Sequence, residues 1–254
     1  MSGVKPITYT RYLSGRVARV QGFVVEEVPL RVRVHGQPWV TLMCSPHDLD
    51  DLVLGFLRSE GVITDLSDVQ ELQWAEESPC VDVRLAHPVT LPEHPTRTTG
   101  CHGGITFADL VAALPPLQST WTISPDRLIS RMQDLLRGAT LYRQARGIHS
   151  AALSDGDHLL VHVEDVGRHN ALDRVWGRAM REGIETRDRL ILTTGRISVE
   201  MLRKIALMGV PLVASRTSPT GLALDLAQAW GITIVGYVRP YGFRVYTHPE
   251  RLFS

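Results

Sequence analysis

From His149 to Val235 the chain passes back and forth between short apolar runs and helix-length amphipathic segments, and that alternation limits its fold more than any other feature. Residues 149–154 and 158–164 are strand-like and flank the turn Asp155-Gly156-Asp157, the pattern of a hairpin. A helix over 171–181, a strand over 190–194, a helix over 198–208, a strand over 211–215, a helix over 222–230 and a strand over 232–235 follow. Strands joined through helices need right-handed crossovers, so this half is expected to be an α/β domain whose sheet contains parallel strands. A helix that opens at Ser124-Pro125 and ends near Gly147 precedes the hairpin, with Leu128, Ile129, Met132, Leu135, Leu136 and Ala139 at helical spacing.

The first third reads differently. Residues 28–44 alternate apolar and polar on both sides of Gly36-Gln37, which predicts another hairpin. Ser45 is expected to cap a helix with Pro46 at its first position and Asp48 in its first turn. Leu49, Leu52, Val53, Phe56 and Leu57 then recur at helical spacing, and Gly61 is placed to close the helix. Two more strands are expected near 69–74 and 81–85, with Cys44 and Cys80 as small packing residues. Residues 87–105 hold three prolines and three glycines, which excludes a long helix or a central strand. The domain boundary is placed there: a smaller β-rich, α+β domain over 1–95 and the α/β domain over 96–254.

Composition narrows the function. A hydrophobic share of 44% and a charged share of 21% over 254 residues suit a globular chain. No stretch approaches the roughly 18 apolar residues a membrane helix needs, and the start lacks the apolar core of a signal peptide. A cytoplasmic protein with no membrane partner is therefore expected. Lys+Arg and Asp+Glu balance at 27 each, which argues against a nucleic-acid partner. Three cysteines far apart, with no C-x-x-C, predict neither a disulfide framework nor a structural metal.

In an open α/β sheet, ligands collect beyond the carboxyl ends of the parallel strands, where helix N-termini favour phosphate. Three junctions qualify: Gly195-Arg196-Ile197-Ser198, Arg216 through Gly221 with Ser218 and Thr220, and Tyr237-Val238-Arg239-Pro240-Tyr241-Gly242. Arginine can chelate phosphate and tyrosine can offer a face to a base. The same residue types are also what helix starts and turns require. The run Asp165-Val166-Gly167-Arg168-His169-Asn170 is dense in polar groups for a connector; Asp165 could orient His169 or pair with Arg168, and Asn170 could cap a helix or meet a base edge. Thr98-Thr99-Gly100-Cys101-His102-Gly103-Gly104 sets a cysteine between glycines, and Arg97 and His102 would favour its reactive thiolate form.

These segments together resemble the formate dehydrogenase accessory sulfurtransferase family, FdhD. The likeness runs from about residue 25 to residue 250 through EEVPLRVRVHGQPW, DDLVLGFLRSEGVI, GIHSAAL, VEDVGRHNALDRV, TTGRISVEML, SRTSPTGLALDLA and IVGYVRPYGFRVYTHPERL. The resemblance implies a cytidine-deaminase-like three-layer α/β domain with a mixed sheet. It implies a homodimer that takes sulfur from a cysteine desulfurase as a persulfide on Cys101. That sulfur would pass to the molybdenum cofactor, a bis-molybdopterin guanine dinucleotide, for formate dehydrogenase or a related molybdoenzyme. The guanine-nucleotide portion, for which GDP is a mimic, would lie along Tyr237 through Gly242, with Gly195, Arg196, Ser198, Ser218 and Thr220 as neighbours. The family loop usually reads C-x-x-C, and here the second position is Gly104. A single thiol can still carry a persulfide, but it has no resolving partner.

Other functions are weighed on the same residues. A zinc deaminase needs H-x-E with P-C-x-x-C; His162-Val163-Glu164 and His248-Pro249-Glu250 supply the first, but Pro79-Cys80 is followed by Val83 where the second cysteine belongs. A dinucleotide oxidoreductase needs G-x-G-x-x-G after a strand, which is absent. A chaperone that holds the cofactor without moving sulfur stays open, because Gly104 replaces the second cysteine.

Overall fold

A computed structural model describes residues 3–90, 96–97, 105–106 and 112–253. The chain opens with a hairpin of two ten-residue strands, β1 (Val4–Leu13) and β2 (Arg16–Val25). Next comes a four-stranded sheet of order β4-β3-β6-β5, built from β3 (Val28–Val34), β4 (Gln37–Cys44), β5 (Val69–Trp74) and β6 (Cys80–Leu85). The β3–β4 turn is His35-Gly36, both at positive φ, the two-residue geometry that matches strand twist. One helix, α1 (Leu49–Ser59), packs on this sheet around Leu30, Val32, Leu52, Phe56, Leu57, Val81 and Val83. Two short paired strands, β7 (Thr96–Arg97) and β8 (Ile105–Thr106), follow. The domain boundary read at 95/96 abuts residues outside those described.

The second half is a six-stranded sheet of order β10-β9-β11-β12-β13-β14. Its strands are β9 (His149–Ser154), β10 (Leu159–Asp165), β11 (Leu190–Thr193), β12 (Leu212–Ser215), β13 (Thr233–Arg239) and β14 (Gly242–Val245). β11, β12 and β13 run parallel, and β9, β10 and β14 pair antiparallel, so the sheet is mixed. Alternate residues face opposite layers, as the period-2 strand demands. Ile191, Val213 and Ile234 meet α4 (Arg168–Arg181), α5 (Val199–Leu207) and α6 (Gly221–Trp230), while Leu190, Leu212 and Val235 meet α2 (Pro125–Gly138). The expected α/β class and three-layer mixed sheet are borne out.

Three expectations are corrected. Ser45 does not cap α1: Asp48 stands at the N-cap, and the Ser45 hydroxyl accepts the Val166 N–H at 3.2 Å. The helix expected to run to Gly147 breaks at Ala139 and restarts as α3 (Thr140–Ala145). There Gly138 lies against the His162 ring, 2.7 Å from where a Cβ would stand. The last strand does not stop at residue 235; β13 continues to Arg239 and turns directly into β14.

The two sheets are joined by α1 crossing α4 at backbone contact. A Cβ added at Gly55 would stand 1.8 Å from the Asp173 carbonyl oxygen, and one at Gly177 would stand 1.9 Å from that of Asp51. Around this crossing, buried Asp51 accepts from Arg178 at 2.7 Å and Arg181 at 2.6 Å, and Arg58 lies over the Trp176 ring at 5.0 Å. Gly55→Ala and Gly177→Ala should each destabilise the protein by about 3 kcal/mol, the upper end for overpacking, because the obstructing atoms are backbone. Gly221→Ala, with open space at its Cβ, should change stability by less than about 0.5 kcal/mol. Urea unfolding of the three variants checks this; equal midpoints would show that the helices do not cross as described.

Candidate functional site

The carboxyl ends of β11, β12 and β13, the start of β9 and the end of β10 meet at one sheet edge. The three junctions singled out in the sequence converge there and bond to one another. Ile197 donates to the Ser218 carbonyl at 3.2 Å, and Thr220 donates to that of Ile197 at 3.0 Å. The Ser215 hydroxyl donates to the Gly195 carbonyl at 2.6 Å. Tyr237 N–H donates to Thr217 at 3.1 Å, and Arg239 Nη1 donates to the Arg216 carbonyl at 2.9 Å.

Beside this rim lies a cavity of about 790 Å³. It is lined by Thr194, Arg216, Thr217 and Arg239 of the rim, by Tyr142, Arg143 and Arg146 around the end of α3, and by Gly147 to Ser150. Four arginines and no carboxylate are among its lining residues. Burial, followed by the neighbouring Arg239 charge, lowers the Arg216 pKa. Two neighbouring guanidiniums with no lining carboxylate make this wall electropositive, and Arg can grip phosphate bidentately. The Arg146 guanidinium lies over the Tyr142 ring at 5.0 Å, so an aromatic face stands within the same wall.

Of the residues named from sequence, Arg239 lines this cavity. Val238 is buried and gives its carbonyl to Arg216 at 3.3 Å. Tyr237 lies under Arg244 at 4.4 Å, and Pro240 and Tyr241 form the exposed β13–β14 turn before Gly242. Gly195 approaches Arg168 too closely for a side chain, Arg196 is exposed, and Ser198 sits 3.3 Å from His169. Ser218 and Thr220 engage the rim through their backbones. Cys101, the named persulfide cysteine, lies outside the described residues, between the paired strands β7 and β8. Thr106 of β8 is described; its hydroxyl donates to buried Glu60 at the end of α1 at 3.1 Å.

Tyr142 and Arg143 of α3 and Arg146 just after it were not singled out in the sequence. Their one signal is compositional: LYRQARG puts a tyrosine and two arginines in the turn before a strand at the binding edge. Much of the dense run 165–170 is engaged in structural bonds. Asp165 pairs with Arg174 at 2.8 Å, and also accepts from Ser45 N, Gly167 N and Asn170. Asn170 donates as well to the Met43 carbonyl at 2.8 Å. His169 meets Glu200 at 2.9 Å and Ser198 at 3.3 Å through the same nitrogen, Nε2, so the trio is not a relay. Cys44 is buried, and burial with the nearby Asp165 charge pushes its thiol up to about 12, which makes it inert. Among the described residues no group of His, Cys, Asp and Glu could hold a metal ion, and no helix is long and apolar enough to cross a membrane.

The profile of the family described as FdhD/NarQ matches residues 25–253. A sulfur carrier protein FdhD from Bacillus subtilis (strain 168) is 40% identical over 248 residues, 95% of this chain and 95% of its own. Its counterpart from Staphylococcus haemolyticus (strain JCSC1435) is 35% identical, covering 95% and 94%. A crystal structure assigned as a formate dehydrogenase accessory protein from Desulfotalea psychrophila superposes with a TM-score of 0.79 at 26% identity, over 98% of this chain and 99% of that one.

Electrostatics around the site set a pH limit. His47, His162 and His169 all have lowered pKa values, each chiefly through burial; the Arg174 charge adds to this at His47, while Glu200 opposes it at His169. The fold therefore disfavours protonation of these rings, whereas the unfolded chain takes up protons near pH 6.5. Stability is fully present above about pH 6.5 and falls as acid favours the unfolded chain, by up to about 1.4 kcal/mol per pH unit for each histidine. The urea midpoint should drop between pH 7 and pH 5. An unchanged midpoint would mean that these rings protonate freely in the fold.

Proposed function

The chain belongs to the FdhD/NarQ family, and from that premise we propose that it is a sulfur carrier for formate dehydrogenase or a related molybdoenzyme. The observation that carries this reading is the arginine-lined cavity without acids at the strand edge. Its volume lies within the range of about 300–1,000 Å³ typical of ligand pockets. We assign to it the phosphates of the guanine nucleotide in the bis-molybdopterin guanine dinucleotide substrate. The stretch Tyr237 to Gly242 flanks the cavity through Arg239, and Tyr142 offers a face for a base.

The sulfur step follows from thiol chemistry. The Cys101 thiolate attacks the outer sulfur of a persulfide on a cysteine desulfurase, its S–S bond breaks, and the donor thiolate leaves. The S–S bond of the Cys101 persulfide would then break as its terminal, sulfane-level sulfur passes to the bound cofactor. Cys101 would leave as the thiolate, and a low-valent metal centre of that substrate or an external thiol reductant would supply the two electrons that bring the sulfur to the sulfide level. Both steps need one cysteine, so Gly104 does not block them. The protein would act in the cytoplasm, where thiols stay reduced. A second reading, a chaperone that holds the cofactor without moving sulfur, is favoured by Gly104 alone.

We also propose that the protein works as a homodimer, and the β1–β2 hairpin supports this. Tyr12 is 72% exposed, Leu13 62%, Val17 70% and Phe23 49%, so the ribbon carries apolar residues on both faces. Helix α3 packs against part of the ribbon, and the exposed apolar residues beyond it leave surface for a second copy.

Two outcomes are expected. After incubation with a cysteine desulfurase and cysteine, mass spectrometry should find one added sulfur on Cys101; Cys101→Ala should lose it and still bind GDP, while Arg239→Ala should keep it and bind GDP roughly tenfold more weakly. An unmodified Cys101 in a protein that binds GDP would leave the chaperone reading in its place. Light scattering should give twice the chain mass, and removal of residues 4–25 should halve it; a monomeric full chain would sink the dimer.

A further inference from the structure

We propose that Glu164 is the positioning residue of the arginine-lined cavity: its buried carboxylate holds the α3 turn, and through it Tyr142, Arg143 and Arg146, against the strand edge. The inference rests on the reading that the cavity takes the nucleotide phosphates.

Glu164 is 6% exposed and stands one residue from the end of β10. Its two oxygens accept the backbone N–H of Leu141 at 2.8 Å and of Tyr142 at 2.9 Å, with the hydroxyls of Thr140 at 3.3 Å and Ser150 at 3.4 Å beside them. Those N–H groups belong to the first turn of α3, where a helix has no internal acceptors. The residue at its N-cap is Ala139, which has no side-chain oxygen to offer. A six-residue helix is far below the length that sustains itself in water. Its first turn is thus held by a carboxylate from another element, and a charged acceptor makes the stronger hydrogen bond.

That anchoring fixes the cavity wall. Tyr142 is itself one of the two residues whose N–H Glu164 accepts, and its ring carries the Arg146 guanidinium. Arg143 turns back to the carbonyls of Leu136 and Arg137, tying α3 to the end of α2. Ser150, the remaining partner of Glu164, lines the cavity and donates its N–H to Thr194 Oγ1 at 3.0 Å. One carboxylate therefore joins both walls: the helical turn with its arginines, and the ends of β9 and β11. No contact between Glu164 and the bound nucleotide is needed for this role.

The test is a double-mutant cycle on the full chain with GDP as the probe, read by titration calorimetry for the wild type, Glu164→Gln, Arg146→Ala and the double variant. Glutamine keeps the shape of the side chain but turns an amide NH₂ toward one of the two N–H donors. Each single variant is expected to weaken GDP binding about tenfold, and the double variant no more than about tenfold, because both changes remove the same wall. Losses that multiply to about a hundredfold, or wild-type affinity in Glu164→Gln, would overturn the inference; a lowered Tm alone would mark a merely structural residue. Should Glu164→Gln fail to fold, hydrogen exchange of the wild type decides. The Leu141 and Tyr142 amides should be protected and become more so with GDP, and rapid exchange at both would overturn the proposal. A wild type that binds no GDP removes the cavity reading itself, and this inference with it.

Discussion

The pairing of Asp165 with Arg174 is the interaction on which the rest of the structure depends. Neither side chain retains any exposed surface. Two charges so deeply buried gain little from each other unless every remaining donor and acceptor is used. Here they are used across the sheet-to-sheet junction. Arg174 donates to the carbonyls of Ser45, His47 and Asp48, and Asp165 accepts from Ser45 N, Gly167 N and Asn170. Removing either partner would strand a buried charge, at a cost of about 3–5 kcal/mol. The glycine crossing of α1 and α4, at Asp173 and Gly177, lies within one turn of Arg174 on the same helix, so ion pair and backbone contact secure one seam.

Two adjacent carboxylates on β10 thus divide the work. Asp165 points its bonds toward the N-terminal sheet and α4, while Glu164 points its own toward α3. Successive residues of a strand face opposite sides, and the pleat lets neighbours serve different structures. The cavity therefore borders the seam between the sheets, with Val166, next in sequence, lining it.

Much of the fold was legible because the strand-helix alternation obeys local rules. β11, α5, β12 and α6 lie within a residue or so of where periodicity puts them. What escaped is tertiary in origin. Ala139 is no helix breaker, and the break before α3 comes from His162 against Gly138 and from Glu164 capping the new turn. Ser45 looks like a cap but its hydroxyl is committed to Val166, 121 residues away. The β1–β2 ribbon leaves a weak trace because neither of its faces is consistently apolar. At the site, Arg239 was legible from its place at a strand end, whereas Arg143 and Arg146 belong to a turn whose place no periodicity reports.

The seam also imposes an order on biosynthesis. The carbonyls of Ser45, His47 and Asp48 meet their guanidinium only when Arg174 has been made, 126 to 129 residues later. At a synthesis rate of about 5–20 residues per second, that interval is roughly 6–25 s. Throughout it the glycine face of α1 has no helix to cross, since α4 does not yet exist. The nascent chain carries an open, partly apolar surface for far longer than a local hairpin takes to form. A ribosome that pauses between α1 and α4 lengthens that exposure.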